Sequence, residues 1–104
     1  MRFLITSVAK KKEAKKLSKR LVKKGFAACV SSFSAKSIYL WQEKLFGEKE
    51  QILLIKTDVN FKKVAKFIRK HHSYETPEIL ALKPKEIFKK YEKWIKKSTK
   101  KGKK

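Results

Sequence analysis

The sequence is short of several residue types, and each shortage excludes a class of protein. With one cysteine in 104 residues, the chain can form neither an intramolecular disulfide framework nor a cysteine-rich zinc site. No apolar run approaches the ~20 residues of a membrane-spanning helix, so we expect no membrane partner. The apolar stretch at residues 3–6 is too short for a secretory signal, whose apolar region needs about 7–15 residues. The expected location is therefore the cytoplasm.

Acidic residues are also scarce. The chain has 9 Asp and Glu against 30 Lys and Arg, so its formal net charge is +21. Such a charge attracts polyanions, and nucleic acid is the first candidate partner. A charged fraction of 38% with only 3 glycines and 2 prolines also fits a thermostable protein, in which lysine-rich surfaces are common. The charge alone leaves both interpretations open.

The hydrophobic residues, 41% of the chain, repeat with strand and helix periods that define an order of elements. The predicted elements are a strand at 3–6, a helix at 10–24, a long β-hairpin at 27–57, a helix ending at 71–72, a strand at 79–82 and a helix at 86–97. This βαββαβ order with a C-terminal helix predicts an α+β, ferredoxin-like fold. We assign residues 1–98 to a single domain and residues 99–104 to a disordered, lysine-rich tail.

The hairpin predicts that the chain associates with itself. Residues 52–55 are apolar at consecutive positions, so both faces of this strand require burial. Helices in this topology cover only one face of the sheet, and another copy of the chain is the simplest cover for the second face. The far half of the hairpin also extends past the helices and carries large aromatic side chains. Gly47 marks a bulge or a second bend. The predicted interface residues are Tyr39, Trp41, Phe46, Ile52 and Leu54.

The densest group of potential metal ligands follows the second helix. His71 and His72 end that helix, and Tyr74 and Glu75 come directly after them. Neutral imidazole is the commonest metal ligand in proteins, and carboxylate and phenol oxygens extend the donor set. Histidines at a helix end are more often solvated or bonded to the last carbonyls, so that second interpretation stays open.

Five stretches resemble the CutA family, the divalent-cation-tolerance proteins, in the same order and with nearly the same spacing. They are Ala27–Val30, Ser37–Trp41, Ile55–Thr57, His72–Ile79 and Tyr91–Trp94. The fourth corresponds to the family signature His-Pro-Tyr-x-x-Pro-x-Ile/Leu, with Ser73 in place of the first proline. The resemblance implies a homotrimer in which long hairpins complete sheets between subunits. It also implies association with copper-type divalent metals and, through likeness to PII signalling proteins, a sensor or adaptor role.

These observations support three hypotheses on function. The leading one is a trimeric, copper-type metal-binding protein of metal tolerance, with His71 and His72 as ligands and Tyr74 and Glu75 in support. The second is a polyanion-binding module that uses a basic surface formed by Lys12, Lys16, Lys19 and Lys23. No Gly-rich phosphate loop or RNA-stacking sheet is present, so we expect non-specific binding at low salt. The third is an enzyme, and because no catalytic constellation stands out we expect none.

Overall fold

The computed structural model describes residues 1–104, and its elements follow the predicted order. The strands are β1 (Arg2–Val8), β2 (Cys29–Trp41), β3 (Lys44–Thr57) and β4 (Ile79–Leu82). The helices are α1 (Lys11–Lys23), α2 (Phe61–His71), α3 (Lys89–Ser98) and α4 (Lys100–Lys103). The strands form one antiparallel sheet in the order β2-β3-β1-β4. This topology confirms the predicted ferredoxin-like α+β fold.

The core lies between one face of the sheet and helices α1 and α2. Its fully buried members include Leu4 from β1, Leu53 and Ile55 from β3, Leu21 from α1 and Ile68 from α2. Burying one such side chain stabilises the fold by roughly 1.5–3 kcal/mol, so this layer holds both helices on the sheet. None of the helices has the length and apolarity needed to span a membrane.

The opposite face of β3 is only partly covered within the subunit. Ile52 and Leu54 alternate with the buried Leu53 and Ile55, so they point to the other side of the sheet, where they are half-buried. The sheet therefore presents apolar side chains on the face that α1 and α2 leave uncovered.

The hairpin of β2 and β3 is an uninterrupted antiparallel ladder closed by a two-residue turn. Pairing runs without a break from Cys29 opposite Lys56 to Trp41 opposite Lys44. Gly47 pairs with Ile38 inside this ladder, so the bulge or second bend predicted at this glycine is absent.

The far half of the hairpin exposes most of its apolar side chains. Ile38, Leu40 and Leu45 are 76%, 70% and 72% exposed, and Trp41 is 49% exposed. Single exposed apolar residues are ordinary on protein surfaces, whereas a contiguous set of this kind marks a contact surface.

The C-terminal residues form a short ordered helix, where the sequence predicted a disordered tail. Thr99 is fully buried, and its hydroxyl donates to the carbonyl of Ile95 at 2.8 Å. The side chain of Lys103 bonds Asp58, while the ammonium group of Lys63 donates to the Lys103 carbonyl at 3.0 Å. The lysine-rich composition of residues 99–104 led to the prediction of disorder. The contacts of Lys103 with Asp58 and Lys63 were not apparent, because these residues are distant in sequence.

The C-terminal helix packs against the end of α1 at a glycine. Gly25 has φ +76°, a left-handed conformation that is common just after a helix and that disfavours residues other than glycine. A Cβ atom at Gly25 would lie 2.8 Å from the backbone nitrogen of Gly102, closer than such atoms can approach.

We predict that Gly25→Ala lowers the free energy of unfolding by at least ~1–2 kcal/mol, from left-handed strain alone. Displacement of the C-terminal helix adds to this loss. Gly47→Ala is the control, because a Cβ at Gly47 meets nothing within 4 Å. Chemical denaturation of both variants measures the difference, and equal stabilities would contradict this packing.

Candidate functional site

The segment between α2 and β4, residues 72–78, contains most of the predicted metal ligands. Helix α2 ends at His71, and the backbone of His72 is extended, with φ −95° and ψ 141°. Pro77 cannot continue a helix, and the chain enters β4 at Ile79. We call residues 72–78 the corner segment. The change of backbone conformation at His72 gives the two histidine rings different surroundings.

Both ring nitrogens of His72 are hydrogen-bonded within the subunit. Nε2 lies 2.7 Å from the carbonyl oxygen of Ser7, and Nδ1 lies 3.0 Å from the backbone nitrogen of Tyr74. A carbonyl only accepts and an amide N–H only donates, so the ring is the neutral tautomer that carries its proton on Nε2. No lone pair remains free for a metal. Both nitrogens are thus engaged within the subunit, and the ring connects the corner segment to the end of β1. This geometry does not support His72 as a metal ligand, and that role stays a prediction.

His71 faces the opposite way, into a strongly basic environment. Its Nδ1 accepts a hydrogen bond from the guanidinium group of Arg20 at 2.9 Å, and its ring packs 4.6 Å from that of Phe67. Burial, followed by the charges of Arg20 and Lys70, lowers the pKa of His71 below its ordinary value of 6.5. The ring is thus neutral at pH 7, but the same two cations repel an incoming metal ion.

The two histidine rings therefore bond different parts of the subunit. One ring bonds the end of β1 and the other bonds α1. More generally, no group of three or more His, Cys, Asp or Glu side chains is arranged to hold a metal ion within the subunit.

Four carboxylates, of which only that of Glu75 was a predicted ligand, converge on a cavity of about 490 Å³ between the hairpin and the corner segment. We call it the acidic cavity. It contains four of the 9 acidic residues of a chain whose net charge is +21. These are Glu48, Glu50, Glu75 and Glu78, and the other lining residues are Ser7, Tyr39, Trp41, Ser73, Tyr74 and Thr76.

Tyr74 joins the corner segment to the floor of the acidic cavity. Its hydroxyl donates to Oε2 of Glu50 at 2.9 Å, and Glu50 is only 8% exposed. Burial raises the pKa of Tyr74 far above its ordinary value, and the bond to Glu50 raises it further. The phenol therefore stays protonated and orients Glu50. This state argues against Tyr74 as an anionic metal ligand, whereas Glu75 lines the cavity as an available carboxylate.

Sequence reasoning missed Glu48 and Glu50, although a signal was present. The two residues alternate along β3 with Lys49 between them, so they point to the same face of the sheet. Two carboxylates on one strand face stand out in so basic a chain. Their proximity to residues 73–78 depends on the tertiary fold and was not readable from sequence.

The predicted hairpin aromatics lie together beside this cavity. Tyr39 pairs directly with Phe46 across the ladder, and their rings stack 5.6 Å apart. Tyr39 and Trp41 also line the acidic cavity. Tyr39 and Trp41 thus lie on the face of the hairpin that carries Glu48 and Glu50. The exposed side chains of Ile38, Leu40 and Leu45 lie on its other face.

The predicted basic surface divides into two parts. Lys12 and Lys16 line a groove of about 540 Å³ between α1 and the end of α2, which we call the basic groove. Lys19 and Lys23 instead flank a separate cavity beside β2. Lys70, on α2, completes the basic groove but was not among the predicted residues.

The sheet order, the helix layer and the long hairpin together define a ferredoxin-like protein. Comparison with known proteins then identifies the family: the chain belongs to the CutA1 divalent ion tolerance proteins, whose family model matches residues 2–98.

Individual relatives agree with this assignment. The divalent-cation tolerance protein CutA of Archaeoglobus fulgidus is 33% identical over 94 residues, which cover 89% of this chain and 92% of the relative. The structure of the periplasmic divalent cation tolerance protein CutA from that organism aligns with a TM-score of 0.92 at 31% identity, covering 96% of this chain and 100% of the other. The PII-like protein CutA from Nostoc sp. PCC 7120, in apo form, shares the fold, with a TM-score of 0.89 at 24% identity and coverage of 95% and 97%.

We predict that Tyr74→Phe lowers the free energy of unfolding by about 1–3 kcal/mol, because it leaves a buried carboxylate oxygen of Glu50 without its donor. Tyr91→Phe is the control, since the Tyr91 hydroxyl makes no hydrogen bond within the subunit. Thermal and denaturant unfolding compare the two. An equal loss of unfolding free energy in both variants would show that the Tyr74–Glu50 hydrogen bond does not stabilise the fold.

Proposed function

We propose that this chain binds divalent cations at the acidic cavity and acts in metal-ion tolerance as a homotrimer. The observation that carries the proposal is the convergence of four of the 9 acidic residues on one cavity in a chain of net charge +21. Like charges placed together repel one another, and a bound cation relieves that repulsion. Membership of a divalent ion tolerance family supports the same interpretation.

Copper(II) is the preferred cation in this proposal. Carboxylate oxygens also suit magnesium, calcium and manganese, but a given site generally binds first-row divalent metals in an order that peaks at copper. Because no three donors in one subunit are arranged as a ready ligand set, one or two carboxylates would hold the ion, with water or a neighbouring subunit completing its coordination. Affinity is therefore modest.

The homotrimer would complete this site. The exposed far half of the hairpin needs a cover, and Tyr39 and Trp41 belong both to that surface and to the acidic cavity. A neighbouring subunit that covers the hairpin would also close the cavity. We extend the proposal to a sensor or adaptor role, because cation occupancy would then affect the surface through which chains meet.

We predict that Glu48→Gln/Glu78→Gln weakens copper(II) binding by at least about tenfold, which corresponds to about 1.4 kcal/mol. Both side chains are exposed, so the substitution removes charge with little effect on the fold. Calorimetric titration at pH 7.5 compares this variant with the wild type, and zinc and magnesium should bind more weakly than copper in the wild type.

Two controls separate the acidic cavity from other sites. Glu86→Gln/Glu92→Gln removes the same charge outside the cavity and should leave binding unchanged. His71→Ala should also leave it unchanged. If His71→Ala abolished copper binding and Glu48→Gln/Glu78→Gln left it unchanged, the result would support the two-histidine hypothesis and refute this proposal.

We predict that Trp41→Ala weakens the trimer, because truncating a packed interface aromatic often costs more than ~2 kcal/mol. Phe61→Ala is the control, since Phe61 is an exposed aromatic at the start of α2, away from the hairpin. Sedimentation equilibrium measures both. A wild-type protein that stayed monomeric across micromolar concentrations would refute the assembly itself.

A further inference from the structure

The basic groove has the charge and the shape of a site for a phosphate chain. Five cationic side chains line it: Lys10, Lys12, Lys16, Arg20 and Lys70. The acidic residue in the groove, Glu13, has its carboxylate bonded to the Ser73 hydroxyl at 2.8 Å and to the Ser73 N–H at 3.3 Å. The cations therefore outnumber the single carboxylate, and that carboxylate is already engaged.

Arg20 is held in place within this groove. One guanidinium nitrogen donates to Nδ1 of His71, and the His71 ring packs on Phe67. Arginine has five N–H donors in a fixed fork, so the remaining donors are available for an anion. A planar guanidinium fixed in this way binds phosphate oxygens in pairs, which a mobile lysine cannot do.

A second basic cavity continues the groove along α2. It has a volume of about 380 Å³ and shares Lys70 with the basic groove. Lysines surround it, but Phe26 and Phe67 form its apolar part, with ring centroids 4.8 Å apart. We call it the phenylalanine cavity. A basic surface next to half-buried aromatic rings was not apparent from the sequence, in which Phe26 and Phe67 are far apart.

We infer that the basic groove and the phenylalanine cavity together bind single-stranded nucleic acid. The groove would hold consecutive backbone phosphates, and the phenylalanine cavity would receive a base or sugar. Positively charged grooves beside aromatic rings are the general means of binding single strands without sequence preference. Inorganic polyphosphate would satisfy the lysines but has nothing to cover the two phenylalanine rings.

The dimensions agree with a short segment of one strand. Helix α2 has 11 residues and is thus about 16 Å long, so the two cavities beside it are long enough for a few nucleotides of one strand. The acidic cavity lies on the other side of the corner segment, so this binding is separate from the cation site. It can be measured in the presence of a metal chelator.

The test is fluorescence anisotropy of a labelled oligothymidylate over a range of salt concentrations. Lys16→Gln/Lys70→Gln should weaken binding about tenfold and reduce the salt slope by about 1.4, since each phosphate contact on a single strand contributes about 0.7. The control, Lys89→Gln/Lys93→Gln, removes the same charge from exposed positions on α3. It should have a much smaller effect.

A second probe tests the contact with the phenylalanine cavity without altering the protein. An abasic strand of the same length keeps every phosphate but has no bases, and it should bind several-fold more weakly. Equal weakening by the groove and control variants would mean that diffuse charge alone attracts the strand. Equal binding of the abasic strand would show that only phosphates are recognised. Either result would overturn the inference.

Discussion

The hydrogen bonds of three consecutive residues, His72, Ser73 and Tyr74, hold the two charged surfaces of this protein in place. Through them the corner segment is bonded to the end of β1 at the Ser7 carbonyl, to α1 at the Glu13 carboxylate and to β3 through Glu50. Ser73 lines both the basic groove and the acidic cavity. The corner segment is thus the wall between the two, and its position sets the shape of each.

This wall separates opposite charges in a chain of net charge +21. On the hairpin side, four glutamates line the acidic cavity, where we propose that cations bind despite the overall charge. On the helix side, lysines and Arg20 form a continuous basic surface along α2. The net charge therefore does not indicate whether the chain binds cations or polyanions. The fold places the glutamates on one side of the corner segment and the basic side chains on the other.

The fold was predictable because it depends on local sequence patterns. The candidate site was not predictable, because it depends on contacts between residues that are distant in sequence. Alternation and helical periods reveal the order of elements, and four consecutive apolar residues in β3 predict an uncovered face. The sequence could not show that both histidine rings are hydrogen-bonded within the subunit, because their partners are distant in sequence: Ser7 for His72 and Arg20 for His71. The two-histidine metal site stays a prediction. The role of Glu50 likewise depends on Tyr74, which only the tertiary fold brings near it.

The structural role of His72 is the central claim, and nitrogen-15 NMR of its imidazole ring tests it most directly. The account predicts a neutral ring with the proton on Nε2 and none on Nδ1, because Ser7 can only accept and the Tyr74 N–H can only donate. Adding zinc(II), a diamagnetic substitute for copper, should leave both ring nitrogen signals unchanged. A proton found on Nδ1, or a zinc-dependent shift of either His72 nitrogen, would contradict the account.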